Sequence, residues 1–230
     1  MKVYWQQEDN WGDKLTPYII EKITGKKPEF SDGEGKILLI GSILTHARKG
    51  DVVFGSGLLD KNHLPKSLDI LVESCRGLLT KGVLESRGIK VKKVLGDPAI
   101  ILPLLYKPKV NKQYEKGMVL HYVDRGYDGW ARGQGYHVIY HDTGIEDYID
   151  EVNKCGAIYS SSLHGLICAE AYGIPAQSIT LSGNTIGNLF KFADYYSQTF
   201  RTLPQGLGDP VDLGAEKLLK ELKEFLRNYL

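Results

Sequence analysis

The sequence is poor in cysteine, and none of its cysteines forms a closely spaced pair. Cys75, Cys155 and Cys168 are the three in a chain of 230 residues. This odd, scattered set argues against a disulfide framework or a zinc site built on Cys-x-x-Cys pairs. The phosphate-loop, dinucleotide-binding and zinc-protease motifs are also missing, as is a paired acidic motif of the Asp-x-Asp kind. We therefore expect neither a metal nor a bound cofactor.

Long apolar runs and an excess of one charge are absent as well. No stretch approaches the roughly 20 apolar residues needed to span a bilayer, and residues 1–8 lack the apolar core of a signal peptide. Lys and Arg number 29 against 28 Asp and Glu, a net charge of +1. That balance gives no field to attract nucleic acid or an acidic membrane. We expect a soluble protein of the cytoplasm.

What the sequence has is a repeated order of apolar run, small-residue turn and amphipathic stretch. This order is typical of a parallel sheet with helical crossovers. Asp13 is the predicted cap of a first helix that ends at Gly25. Residues 124–136 are rich in glycine and leave little room for a helix. The predicted strands are 3–5, 36–40, 52–54, 70–74, 91–95, 118–123, 136–140, 157–159 and 175–180, and the other predicted helices are 80–88, 145–153 and 215–229.

A polar, proline-containing segment at residues 107–112 is the best boundary between two halves. It divides the chain into an N-terminal domain at 1–110 and a C-terminal domain at 111–211. The amphipathic segment 212–230 is a candidate to pack across their interface. We predict an α/β protein with two Rossmann-like halves whose parallel sheets face a cleft.

The most informative segment is 160–175, Ser-Ser-Ser-Leu-His-Gly-Leu-Ile-Cys-Ala-Glu-Ala-Tyr-Gly-Ile-Pro. It joins a predicted strand to a predicted helix, and the free N–H groups at such a helix start favour an anion. An anionic ligand would favour the charged form of His164, which suits a general acid. The alternative is a structural histidine that is hydrogen-bonded within the turn.

Three charged residues elsewhere have two interpretations each. Arg76 follows a predicted strand and could bind a phosphate or carboxylate, or form a surface salt bridge. Lys191 lies in an aromatic segment, 188–196, that is either a cleft rim or a helix with the lysine in water. Glu170 could accept hydrogen bonds from a sugar, or be a solvated charge.

Taken together, several short segments resemble the polysaccharide pyruvyl transferase family. The turn at 160–175 is the most specific match, and the likeness covers most of the chain in order. The other matching segments are Asn-Trp-Gly-Asp at 10–13, Phe-Gly-Ser-Gly at 54–57, Cys-Arg-Gly-Leu-Leu-Thr at 75–80, Gly-Asp-Pro-Ala at 96–99, His-Tyr-Val-Asp at 121–124 and Lys-Phe-Ala-Asp-Tyr-Tyr at 191–196.

The resemblance implies a fold similar to two-domain glycosyltransferases of the GT-B type. It also implies transfer of a pyruvyl group from phosphoenolpyruvate to a sugar or lipid-linked oligosaccharide, forming a pyruvate ketal. A lipid-linked acceptor would bring the protein to a membrane surface. The resemblance makes His164, Arg76 and Lys191 the catalytic candidates, and Ser160, Ser161, Ser162, Leu163, Gly165, Asn10, Gly12, Asp13, Gly55, Ser56, Gly57, His121 and Glu170 the substrate-binding candidates.

Two rival interpretations remain open at this point. The segment 170–175, Glu-Ala-Tyr-Gly-Ile-Pro, is similar to one that nucleotide-sugar glycosyltransferases use near the donor. A shortened, non-catalytic relative that binds a glycan or phosphate is the other. Within the pyruvyl transferase interpretation, His164 either donates a proton or stabilises the departing phosphate.

Overall fold

A computed structural model describes residues 1–7, 10–182, 188–203 and 206–230. Within them the chain builds two open sheets of six and four strands, and every strand pairing is parallel. This confirms the predicted α/β class with two Rossmann-like halves. The strands are β1 (Lys2–Tyr4), β2 (Glu29–Phe30), β3 (Ile37–Leu38), β4 (Val52–Phe54), β5 (Leu71–Cys75), β6 (Val91–Val94), β7 (Tyr114–Val119), β8 (His137–Ile139), β9 (Cys155–Ser160) and β10 (Ala176–Ser178).

Helices lie in most connections between the parallel strands, although β2 to β3 and β4 to β5 are joined without one. Among the described residues, no helix has the length and apolarity that a membrane crossing demands. Three short 3₁₀ segments lie at Leu44–His46, Pro98–Ile101 and Tyr122–Tyr127. The α-helices are α1 (Trp11–Thr24), α2 (Leu78–Ser86), α3 (Leu102–Leu105), α4 (Asp128–Gly133), α5 (Ile145–Asn153), α6 (Leu163–Ala171), α7 (Asn188–Ser197) and α8 (Ala215–Arg227).

The order of the strands places a switch point in each sheet. The first sheet runs β2-β1-β3-β4-β5-β6, so the chain leaves β1 in one direction and β3 in the other. The second runs β10-β9-β7-β8 and reverses between β7 and β9. Ligands of open α/β sheets bind outside the carboxyl ends of strands at such switch points. The topology therefore points to the loops after β1, β3, β7 and β9.

The first helix crosses from the first half to the second. Trp11 at its start stacks on Tyr148 of α5, with ring centroids 4.2 Å apart, and its indole N–H donates to the Ile145 carbonyl at 3.1 Å. Trp11 and Tyr148 are both fully buried in one hydrophobic cluster that contains residues of both sheets. This continuous core fixes the two sheet edges relative to each other.

Three local predictions were wrong. Asn10, rather than Asp13, caps α1: its side-chain oxygen accepts from the Gly12 N–H at 3.1 Å, so the helix begins at Trp11 and includes Asp13. The strand expected at 118–123 ends at Val119, because the His121 ring caps the following 3₁₀ segment. The glycine-rich stretch contains α4, where Asp128 pairs with Arg132 one turn later.

The C-terminal helix returns to the first half of the chain. Phe225 of α8 packs on Phe54 with ring centroids 4.9 Å apart, and Lys93 of β6 pairs with Glu221 at 2.6 Å. The helix therefore follows the second sheet along the chain but packs against the first. The proposed domain boundaries at 110 and 211 remain predictions.

Candidate active site

A single cleft collects the loops that follow the switch-point strands. Its cavity holds about 250 Å³, which suits a small ligand. The N-terminal half contributes one wall and the C-terminal half the other. The first wall consists of Gln6, Asn10, Asp13, Ser42, Ile43, Thr45, His46 and Leu59, and the second of His121, Tyr122, Ser162, Leu163, His164 and Lys191.

The N-terminus of α6 forms part of the second wall. Ser162 is its N-cap residue but makes no side-chain capping bond. The first N–H groups of a helix have no partner within the helix, and here they follow residues that line the cleft.

The three serines have different roles. Ser160 bonds through its hydroxyl to the Ser162 backbone, and the Ser161 hydroxyl accepts from the His121 N–H at 2.9 Å, which leaves Ser162 as the serine of the cleft wall.

His164 lies in the first turn of α6 and is 8% exposed. Its ring packs directly against Gly12 of α1, where a Cβ atom would overlap the imidazole. The glycine is therefore needed for close approach rather than for contact with a ligand. Gly165 has a similar role, since a Cβ there would lie 2.6 Å from Ser160 Oγ and from a Val119 methyl carbon. Both glycines hold the turn in place.

Lys191 of α7 is 7% exposed and lines the same cleft as the α6 N-terminus. Burial, with the nearby Arg76 guanidinium, lowers its pKa to about 8. Among the described residues, its ammonium makes neither a hydrogen bond nor a salt bridge. The segment 188–196 forms a helix with packed aromatic side chains, which agrees with one of its two interpretations. Lys191 nevertheless lines the cleft and does not point into water.

Arg76 does not line the cleft, contrary to the expected anion contact. It is fully buried, and its guanidinium donates to Asp194 at 2.9 Å, to the Ser42 hydroxyl at 2.7 Å and to the Leu58 carbonyl at 2.7 Å. Asp194 also accepts from the N–H and hydroxyl of Thr80. Arg76 therefore supports Ser42 from behind and ties α7 to the first half.

The Gly55-Ser56-Gly57 turn also lies behind the cleft wall. Ser56 is fully buried and donates to the Gly41 carbonyl at 2.8 Å. A Cβ at Gly57 would overlap the Arg76 guanidinium. The turn makes room for the buried arginine, and the structure gives it no position in the cleft.

Glu170 faces away from the cleft and is neither solvated nor open to a sugar. It is 4% exposed, and its two carboxylate oxygens accept from Arg201 at 3.0 and 2.7 Å and from the Tyr195 hydroxyl at 2.7 Å. A buried carboxylate requires such partners. Its role is to join α6 to α7 and to the segment after α7.

Asn10, Asp13 and His121 do line the cleft, as predicted for substrate contacts. Asn10 is engaged as the cap of α1, and the Nδ1 atom of His121 accepts from the Val123 N–H at 3.4 Å. Burial and the neighbouring Lys191 lower the pKa of His121 to about 4. This histidine is therefore neutral at physiological pH.

Several cleft residues were not predicted. Gln6, Ser42, Thr45, His46 and Tyr122 follow strand ends or lie in short 3₁₀ segments, and only the strand order could have singled them out. Within the described part of the chain, no three His, Cys, Asp or Glu side chains form a group that could hold a metal ion.

The fold and cleft define an α/β protein with two parallel sheets and a cleft lined by residues of both halves. A crystal structure of a functionally uncharacterised protein, KP1_0663 from Klebsiella pneumoniae, has a similar fold, with a TM-score of 0.56 at 16% identity over 88% of this chain and 90% of that one. The sequence profile named polysaccharide pyruvyl transferase matches residues 9–182. The chain belongs to the polysaccharide pyruvyl transferase family.

Two curated proteins are related to the chain over most of its length. One is the uncharacterised protein L143 of Acanthamoeba polyphaga mimivirus, 28% identical over 84% of this chain and 72% of that protein. The other is the succinoglycan biosynthesis protein ExoV of Rhizobium meliloti (strain 1021), 27% identical over 94% of this chain and 70% of that protein.

Proposed function

We propose that the protein transfers a pyruvyl group from phosphoenolpyruvate to a sugar of a surface polysaccharide or exopolysaccharide precursor, forming a pyruvate ketal. The observation that carries the proposal is the second wall of the cleft. There the uncapped α6 N-terminus, His164 and the ammonium of Lys191 surround one small cavity. Family membership and the similarity to a succinoglycan biosynthesis protein support the reaction class.

The negative charges of phosphoenolpyruvate match the hydrogen-bond donors and the cation of the second wall. Phosphoenolpyruvate carries a phosphate and a carboxylate, and both need donors in a site shielded from water. The N–H groups and dipole of α6, with the Ser162 hydroxyl, would hold one anionic group. Lys191 would hold the other, at a place where burial strengthens its attraction for an anion.

In the proposed reaction, His164 donates a proton to the methylene carbon, which makes the adjacent carbon electrophilic. A sugar hydroxyl adds to that carbon, and the C–O bond to phosphate breaks with its electron pair leaving on the phosphate. A second hydroxyl of the same sugar then adds and closes the ketal. Of the two protons that the hydroxyls release, one returns to His164 and one goes to the phosphate, so atoms and charges balance.

The acceptor would lie against the first wall. Its polar residues carry amide, hydroxyl and imidazole groups, namely Gln6, Asn10, Ser42, Thr45 and His46, and among the described lining residues of this wall Asp13 alone has a carboxylate. Groups of this kind suit the hydroxyls of a sugar better than a second anion. A lipid-linked oligosaccharide that enters along this wall would bring the protein to a membrane surface.

The direct test is incubation with phosphoenolpyruvate and lipid-linked or nitrophenyl sugars, followed by mass analysis of the product. We expect a mass gain of one pyruvate ketal and release of one phosphate. A parallel thermal-shift experiment compares phosphoenolpyruvate with nucleotide sugars. Stabilisation by a nucleotide sugar alone would refute the proposal, although the engagement of Glu170 by Arg201 argues against that rival.

A further inference from the structure

A buried carboxylate faces His164 from the other half of the molecule. Asp97 is fully buried and follows β6, at the start of the Pro98–Ile101 segment. Its Oδ1 atom accepts from the Ala99 N–H at 3.0 Å. Its Oδ2 atom lies 3.6 Å from the Nε2 atom of His164. Within the described residues, both of these facing atoms are buried and have no hydrogen-bond partner.

Two unpaired polar atoms buried opposite each other are costly, because each has lost water without gaining a partner. A proton on Nε2 removes both costs at once, since it would be donated to the carboxylate after a small approach. In that tautomer Nδ1 is the unprotonated nitrogen. Nδ1 lies against Gly12 at the start of α1, and because Nε2 is shielded from solvent, Nδ1 is the nitrogen that remains to act at the cleft.

The surroundings hold this pair in one arrangement. Asp97 is fixed by its capping bond, and Pro98 packs so closely on Gly55 that a Cβ there would overlap it. The His164 ring is confined by Gly12 of α1. Two further histidines near the ring, His121 and His141, have pKa values that burial lowers to about 4 and about 3, so neither is a charged competitor at neutral pH.

We propose that Asp97 is the positioning residue of His164. Its carboxylate holds the Nε2 proton, directs Nδ1 at the substrate and stabilises the imidazolium that forms when Nδ1 takes up the proton to be donated. The inference rests on the proposed function for the reaction that His164 serves. A residue of the first half would thus set the chemistry of a residue in the second.

The test combines ¹⁵N NMR of labelled histidines with kinetics of Asp97→Asn. In the wild type, with the ring neutral, we expect the proton on Nε2 of His164, the signal being assigned by its loss in His164→Gln. The Asn amide can keep the capping bond but turns an N–H toward Nε2, so it selects the opposite tautomer. We expect the proton to move to Nδ1 and kcat to fall about 100-fold or more, with KM for phosphoenolpyruvate little changed.

Two further variants protect the test against misfolding and indirect effects. Asp97→Ser keeps a capping hydroxyl but removes the facing oxygen, so it should be folded and equally slow. Asp60→Asn is the matched control, because Asp60 pairs with His63 at 2.7 Å on the surface. It should change the His63 signal and leave kcat unaltered.

The NMR measurement needs no turnover, so it remains decisive if no ketal is formed. A wild-type His164 protonated on Nδ1 would overturn the proposal. So would a folded Asp97→Asn or Asp97→Ser enzyme with wild-type kcat.

Discussion

Two helix N-termini meet in the cleft, and they differ in how their N–H groups are satisfied. At the start of α1, Asn10 accepts from Gly12, and Asp13 places a carboxylate in the first turn. At the start of α6, Ser162 makes no capping bond, and the first turn contains no acidic residue. The α1 end therefore has a side-chain cap and a carboxylate of its own, and the α6 end has neither.

The difference shows which end has a structural task. A carboxylate near a helix N-terminus stabilises the helix, and α1 supplies its own because it must dock on the second half through Trp11. The α6 end lacks that compensation and shares the cleft with the Lys191 ammonium. An anionic substrate would supply the missing acceptors and the negative charge together.

Removal of the acid from the α6 end should have the largest effect. We expect His164→Gln to lower kcat roughly 10³-fold, because general acid catalysis contributes about 10²–10⁴. The residue belongs to the cleft, so the free energy of unfolding should change little. Product formation measured by mass analysis, with circular dichroism as the check of folding, gives both values.

His137→Gln is the matched control. His137 of β8 pairs with Glu151 at 2.6 Å and is not among the residues that line the cleft. It should retain wild-type kcat. If His164→Gln lost stability but kept its activity per folded molecule, the histidine would be structural and the contrast between the two helix ends would lose its meaning.

The contact between the two helix ends can be broken by one methyl group. In Gly12→Ala the new Cβ overlaps the His164 ring, which must move. A displacement of about 1 Å can cost roughly 100-fold in rate, so we expect that loss in kcat in a folded protein. Gly82→Ala in α2 is the control, because nothing lies within 4 Å of its Cβ position. That variant should keep full activity and gain up to about 1 kcal/mol in stability.

Much of the fold could be predicted because it depends on local patterns. Helix 145–153 and strand 52–54 have the predicted bounds, and the apolar runs followed by glycine turns indicated parallel sheets. The strand order could not be read in the same way. It depends on which edge each crossover joins, and that order is what places Ser42 and Tyr122 in the cleft.

The residues of the candidate site also divide into those that local sequence predicts and those that it does not. Residues at the strand-to-helix turn, Ser162 and His164, were found because their position in the turn determines their role. Arg76 and Glu170 were misplaced because their partners, Asp194 and Arg201, are 118 and 31 positions away along the chain. Burial with a distant partner leaves no local trace in a sequence.

The cation that shares the cleft with the α6 end should make substrate binding depend on pH. Burial lowers the pKa of Lys191 to about 8. The ammonium is charged below that pH and neutral above it, and an anion binds the charged form. We therefore expect the Kd for phosphoenolpyruvate to be nearly constant between about pH 7 and pH 8, where the phosphate is already fully ionised, and to rise roughly tenfold per pH unit above about pH 8. Isothermal calorimetry across pH 6–10 measures this curve.

Lys191→Arg tests whether residue 191 causes the pH dependence of the Kd, because a guanidinium stays charged over the whole pH range. Its Kd should be flat where that of the wild type rises. Identical curves for the two proteins would show that another group controls binding and that Lys191 does not complement the α6 end.

The smallest effects compare the two cap residues directly. Asn10→Ala removes a capping bond and should lower the free energy of unfolding by about 1 kcal/mol. Ser162→Ala removes no capping bond, so unfolding in urea should be almost unchanged. It should instead raise the Kd for phosphoenolpyruvate about tenfold, since a hydrogen bond to a charged group is worth about 1.5 kcal/mol or more. If Ser162→Ala destabilised the fold as much as Asn10→Ala and left the Kd unchanged, both serine and asparagine would be structural caps, and the α6 end would have no special place in binding.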